Sequence, residues 1–199
     1  MSQQEFWNSK FSRDGFLYGI KPNTFIASKT KLLSRNSQVL CLGEGEGRNA
    51  VFFAKKGFDV TAIDASDIGL SKLQQRAEED NTKIKTLCMD LNEWEASHEY
   101  DVIVASYLHM YKDERNSLFE KIENSLKEDG YFIGEFFSTK QLNYSSGGPK
   151  DIDLLYTVDD FKNVFTLCEK DIKEQVTILD EGKGHQGEAC VIRVVIQKL

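Results

Sequence analysis

The chain has 199 residues, of which 40% are hydrophobic and 29% charged, and its formal net charge is −7. That length suits one folded unit with a sizeable core. The acidic balance disfavours a general affinity for nucleic acid, where phosphate contacts supply most of the binding, and the longest mostly apolar runs, such as VIVASYLHMY (102–111), are too short to span a bilayer.

The first stretch, MSQQEFWNSKFSRDGF (1–16), lacks an apolar h-region, so no secretory signal is expected. Trp7, Phe11, Phe16 and Tyr18 precede the first strand and read as an amphipathic segment packing on a sheet. QVLCLG (38–43) is a short apolar run ending in glycine, a buried strand. RNAVFFAKKG (48–57) reads as a helix with Lys55 and Lys56 in its last turn and Gly57 as its cap. DVTAID (59–64) is a second strand. Ser66 then caps a helix whose Leu70, Leu73 and Ala77 follow helical spacing. KIKTLCMD (83–90) and YDVIVAS (100–106) are the third and fourth strands. The acidic run EWEASHEYD (93–101) reads as a solvated loop face. A long helix follows, with Leu118, Ile122 and Leu126 on one face and Gly130 at its end, and GYFIGEFFS (130–138) is the fifth strand. TVDDFKNVF (157–165) reads as a short helix. KEQVTILDEG (173–182) and EACVIRVVIQK (188–198) form an antiparallel hairpin at the sheet's edge. Strands alternating with helices indicate an α/β fold, a mostly parallel sheet with helices on both faces.

The four cysteines, Cys41, Cys88, Cys168 and Cys190, are widely separated and form no CxxC pair. They read as buried, reduced thiols of a cytoplasmic protein, and neither a disulfide nor a metal site is expected.

The stretch GEGEG (43–47) joins the first strand to the first helix of the alternation, where glycines allow a ligand to approach the backbone and the helix N-terminus. A dinucleotide fingerprint wants its third glycine at relative position six. Here Arg48 stands there and Gly47 comes one residue early. Glu44 and Glu46 would also repel a pyrophosphate. S-adenosylmethionine, which carries a sulfonium and an ammonium but no phosphate, removes that conflict. Asp64 ends the second strand about 20 residues after the loop, where an acid accepts from ribose hydroxyls.

The order GEGEG, Asp64, MDL (89–91) and a fourth strand ending in Ser106 resembles class I S-adenosylmethionine-dependent methyltransferases. Within them it is similar to the small enzymes related to tellurite-resistance and thiopurine methyltransferases. FWN (6–8), YGIKPN (18–23), SYLHMY (106–111), GGPKDIDLLYT (147–157) and EGKGHQGEA (181–189) extend the likeness over nearly the whole chain. The resemblance implies one methyltransferase domain over 1–199, with a helical lid segment (1–37) and an α/β core (38–199). The implied fold is Rossmann-like, seven-stranded and mostly parallel, with an antiparallel last strand. The implied cofactor is S-adenosylmethionine. Gly43, Glu44, Gly45 and Gly47 would hold its methionyl part, with Arg48 and Asn49 in the first turn of the following helix. Asp64, with Ala65 beside it, would bind the ribose, Asp90 and Leu91 the adenine, and Ser106 would floor the site. Many such enzymes carry an acid two residues before the first glycine. This chain has Cys41, and either Glu44 or Glu46 would supply the missing charge.

Trp7 and Tyr18 are lid candidates. Tyr18, His109 and His185 are the catalytic candidates, with Tyr107 beside them as an alternative proton acceptor. His109 is either a ligand-edge residue or one packed under the following helix. His185, flanked by Gly184 and Gly187, reads as a turn residue, exposed or facing the acceptor, and not as core. Phe136, Phe137 and Tyr156 either line an acceptor pocket or fill the core. LYGIKPN (17–23), SSGGPKD (145–151) and GKGHQG (182–187) are expected to meet over the methyl group. The expected partner is a small methyl acceptor (a thiol, a chalcogen oxyanion or a similar metabolite), with no nucleic acid and no membrane. Oligomeric state is not readable. The rivals are a binding module without transfer and a nucleic-acid methyltransferase. The catalytic signatures of the second are missing where SYLHMY stands.

Overall fold

Alternating aliphatic residues build the sheet of the computed structural model, which describes residues 1–199. Its strands are β1 (Gln38–Leu42), β2 (Asp59–Asp64), β3 (Ile84–Cys88), β4 (Tyr100–Ser106), β5 (Leu126–Phe137), β6 (Cys168–Glu181) and β7 (His185–Lys198), in the order β3-β2-β1-β4-β5-β7-β6. β1 to β5 pair in parallel, while β7 runs antiparallel to both β5 and β6. Only the last strand is therefore reversed.

Successive side chains leave opposite faces of a strand. Leu40, Leu42, Ile103 and Phe132 thus pack on one side, against Leu118, Phe119 and Ile122 of α5 (Lys112–Asn124) and Phe161 of α6 (Val158–Lys162). Val39, Cys41, Val60 and Val104 pack on the other, against Phe53 of α3 (Arg48–Lys55) and Leu70, Leu73 and Ala77 of α4 (Asp67–Glu79). Caps fix where the helices begin: the Ser66 hydroxyl accepts from Gly69 N–H, and Thr157 closes a capping box with Asp160. No helix is long and apolar enough to cross a membrane.

The first helix does not lie on the sheet. α1 (Gln3–Phe11) sits on the start of α4, where Asn8 donates to Asp67 Oδ1 at 2.8 Å and accepts from Ser66 Oγ at 2.6 Å. α2 (Thr24–Ser28), capped by Asn23, follows it and sends the fully buried Ile26 into the core. α5 is shorter than helical spacing suggests. It stops at Asn124, the Ser125 hydroxyl bonds back to the Lys121 carbonyl at 2.6 Å, and Leu126 opens β5 opposite Tyr100. Leu126 still reaches the same core, so hydrophobic spacing cannot separate the two conformations. A left-handed Asp129 (φ 63°) then carries the chain past a register shift into the main part of β5. The acidic run at 93–101 is not wholly solvated, since Trp94 is buried among the α5-side core residues. Cys88 is exposed and Cys168 half-buried, so only Cys41 and Cys190 are the buried thiols expected. Cys88 ends β3, the edge strand.

Candidate functional site

The loop after β1 turns in left-handed backbone at Gly43 (φ 58°), Gly45 (φ 57°) and Gly47 (φ 85°). A Cβ at Gly43 would run into Leu108, one at Gly45 into the Phe11 ring and one at Gly47 into Leu73. Conformation and space both demand glycine here.

The acids beside them are bound up in the protein. Glu44 Oε1 accepts from the N–H groups of Asn49 (2.8 Å) and Ala50 (2.7 Å), capping a helix whose own N-cap, Gly47, has no side chain to do so. Burial pushes its pKa up to about 7, against the pull of those N–H groups and Arg48. Glu46 Oε2 accepts from Leu17 N–H at 2.7 Å and its Oε1 pairs with Lys72 at 2.8 Å, which ties the N-terminal segment to the loop. Asp64 accepts from Gly45 N–H and Ser66 N–H, both at 2.8 Å, so it clamps the loop to the end of β2. Burial raises its pKa to about 6.

These groups border one cleft at the carboxyl ends of β1, β2 and β4, about 900 Å³ when counted out to its open mouth. Gly43, Glu44, Gly45, Gly47, Arg48, Asp64 and Ala65 line its loop side. Asp90, Leu91 and Ser106 line the β3 and β4 side, and Tyr18, His109 and His185 the far end. Trp7 and Phe11 of α1 cover it. Asn49 is the exception among the expected site residues. The second residue of α3 points beneath the loop, where it accepts from Asn23 N–H at 2.9 Å and donates to Ser106 Oγ at 3.2 Å. Phe136 and Tyr156 belong to the core.

His185 is not an exposed turn residue; it is 3% accessible. The turn before it tucks under the N-terminal segment, with Gly184 N–H donating to the Leu17 carbonyl at 3.0 Å and no room for a Cβ on Gly182 or Gly184. Gln186 N–H donates to the Ser146 carbonyl at 2.9 Å, and Gly147 packs on Gly184. Segments 17–23, 145–151 and 182–187 thus come together. The His185 ring lies 4.4 Å from that of Tyr18, 4.5 Å from Tyr107 and 5.0 Å from Phe137, and burial lowers its pKa. The His109 ring lies 5.1 Å from that of Trp7, tilted against it, and burial holds its pKa down to about 4. Tyr18 is pushed up to about 12 by burial, and Tyr107 well above its ordinary value. Near neutral pH the far end therefore presents neutral imidazoles and neutral phenols.

Sequence reasoning misses the polar floor below them. Tyr107, held at φ 53°, donates to Glu135 Oε1 at 2.5 Å. Glu135 also takes Asn23 Nδ2 at 2.7 Å and Arg193 Nε at 2.5 Å. Asn23 reaches Glu181 at 3.0 Å, and Arg48 Nη1 lies 2.9 Å from Glu181 Oε2. The available signal is one acid within GYFIGEFFS and one base within CVIRVVI, directly paired across β5 and β7. A charge inside an apolar strand requires a partner.

A model of the family described as tellurite resistance protein TehB matches residues 15–142. The chain belongs to the TehB family. Among curated relatives of known sequence, the probable S-adenosyl-L-methionine-dependent methyltransferase TehB of Haemophilus influenzae (strain 10810) is 29% identical over 96 residues, 47% of this chain and 34% of that protein. The ubiquinone biosynthesis O-methyltransferase of Rickettsia akari (strain Hartford) is 32% identical over 105 residues, 49% of this chain and 41% of that one. The chain thus spans well under half the length of either. The crystal structure of TehB from Haemophilus influenzae matches the whole of this chain and 68% of its own, with a TM-score of 0.75 at 19% identity. The fold is shared.

Proposed function

We propose that this TehB-family chain is an S-adenosylmethionine-dependent methyltransferase acting on a small-molecule acceptor, a thiol, a chalcogen oxyanion or a similar metabolite. The observation that carries the reading is the make-up of the cleft: three left-handed glycines at its edge, with five acids and a single base, Arg48, among its lining charges. That sign suits a cationic ligand without phosphate. When bound, S-adenosylmethionine supplies a methyl group already activated by a sulfonium.

The chain's own residues would bind, orient and exclude water. The Gly43–Gly47 backbone admits the methionyl part closely. Asp64 keeps a second lone pair on each oxygen for ribose hydroxyls while clamping the loop. Asp90 and Leu91 would take the adenine, above Ser106. Residues 1–37 act as a lid on the 38–199 core: Trp7, Phe11 and Tyr18 close over the cleft and keep water from the reacting groups. Tyr18, His109 and His185 stand at the acceptor end. His185, neutral near pH 7, is the candidate to take a proton from an acceptor, whereas His109, held down to about 4, is a poor base.

Calorimetric titration with S-adenosylhomocysteine and with NAD tests the cofactor assignment. Tight binding of the former and none of the latter is expected, and preference for NAD would overturn it. Labelled S-adenosylmethionine with a panel of thiols, chalcogen oxyanions and small metabolites then tests transfer. Binding without any labelled product across the panel would favour a binding module.

A further inference from the structure

One side of the sheet ends in a long open edge. β6 is last in the strand order and pairs with β7 alone. That pairing runs over 14 residues, Cys168 to Glu181, without a register shift. None of the turn and loop backbone hydrogen bonds reaches β6, so its outer N–H and C=O groups form a regular row that another strand can extend. Short length, bulges and proline commonly close such edges, and β6 has none of the three. Val176 and Ile178 stand on it 52% and 68% accessible.

The charges of its first half carry a second, independent observation. They run Glu169, Lys170, Asp171, Ile172, Lys173, Glu174, Gln175. Along a strand, outward-facing backbone groups alternate with inward-facing ones, so a twofold axis between two antiparallel copies passes through a residue position. With the axis at Ile172, Asp171 of each copy faces Lys173 of the other, Lys170 faces Glu174, and Glu169 meets Gln175. Moving the axis by one residue sets Asp171 or Lys173 against itself. Opposite charges directly across a strand pair stabilise it and like charges oppose it. The same register lays Val176 and Ile178 against Cys168 and Thr166 of the second copy, beside the exposed Leu167. Existing partners leave the central pair free to exchange. Lys173 and Asp171 lie 3.0 Å apart within the chain, but both are more than half exposed, and such pairs contribute little. Glu174 is held more firmly, by Ser138 Oγ at 2.5 Å and by Lys140. Asp171 and Lys173 therefore carry the specificity.

We propose that β6 is a self-association edge, through which two copies of this chain pair antiparallel about Ile172 and join their sheets into one. The paired stretch stops short of the turn that carries His185, so both clefts stay open. A contact built on one strand is small, which makes the dimer weak and concentration-dependent.

Sedimentation equilibrium of the full chain from about 1 to about 300 μM tests it. The mass should rise from one chain to two and stop there. Lys173→Asp sets two aspartates face to face at both symmetric sites and should weaken association about tenfold or more. Adding Asp171→Lys swaps the pair, returns the net charge to its original value and should restore association. Thermal unfolding checks that each variant is folded. Hydrogen exchange locates the contact: amides of 168–178 should slow at the higher concentration while those of β3, the opposite edge, do not change. A one-chain mass throughout would overturn the proposal and leave the edge to an extended segment of another protein. Oligomers larger than two, a dimer without added protection in β6, or a charge swap that fails to restore association would overturn it equally. Should a variant fail to fold, the wild-type mass and exchange data decide alone.

Discussion

Replacing Asp64 separates two roles that one side chain combines. A ribose contact alone would make Asp64→Ala a pure binding defect, worth about 1.5–3 kcal/mol for a charged hydrogen bond and so about a ten- to hundredfold loss of affinity. The structure adds a folding defect. Asp64 accepts the N–H groups of Gly45 and Ser66 at 2.8 Å each, in a carboxylate that is 6% accessible. Alanine would leave both donors without a partner at the base of a loop in left-handed backbone. Each orphaned donor costs about 1–3 kcal/mol, so about 3 kcal/mol together is a conservative figure. For a chain of this length that corresponds to a fall of about 6–12 °C in Tm. Asp64→Asn keeps one carbonyl acceptor and turns an amide N–H toward a donor, so it should fall between the two. Thermal unfolding without ligand and calorimetry with S-adenosylhomocysteine, at a temperature where every variant is folded, read the roles independently. A Tm for Asp64→Ala within about 2 °C of wild type would refute the clamp. Lowered stability with undiminished affinity would refute the ribose role.

Gly43→Ala should both destabilise the chain and abolish S-adenosylhomocysteine binding, since its Cβ would meet Leu108 and its backbone is left-handed; retained affinity in calorimetry would contradict the close approach. Trp7 lines the cleft whereas Trp94 lies in the core, so cofactor binding should change tryptophan fluorescence in the wild type and not in Trp7→Phe. His109 titrates at about 4 in the folded chain against an ordinary 6.5. Between those values the unfolded chain takes up a proton that the folded one refuses, so this residue's contribution to stability is present above the upper value and is lost as pH falls through the window. Urea midpoints across that range should show a shallower acid-side decline in His109→Gln, and an equal decline would refute the burial argument.

Strand and helix types are legible in this chain because burial on two faces leaves near-continuous aliphatic runs, as in β1, β2 and β4, while caps such as Ser66 and Thr157 announce helix starts. Boundaries are less legible where two conformations bury the same side chain. Leu126 reaches one core from either the end of a helix or the start of a strand, and only Ser125 bonding back to Lys121 decides. The cleft's loop side is also legible, since glycines at strand ends have few other uses. Its far end is not. His185 is buried because a turn folds beneath Leu17 and Tyr18, more than 160 residues earlier in the chain, a pairing that no local pattern encodes.

The glutamates of GEGEG bear on both halves of the site. Beside a phosphate they would be a liability, and a sequence reader is drawn to assign one of them to the cofactor. In the fold itself Glu44 caps α3 and Glu46 fastens residues 17 and 72 to the loop. Asp64 accepts from Gly45 N–H, so one carboxylate holds the glycine backbone directly while the other two tie the loop to the helix after it and to the segment that precedes β1. Lys72 offsets the Glu46 charge, while Asp64 has no cation beside it and still borders the cleft. Fastening the loop with acids and not with hydroxyls or amides thus makes the cleft electronegative as a consequence of its own rigidity. A cationic ligand gains from that field.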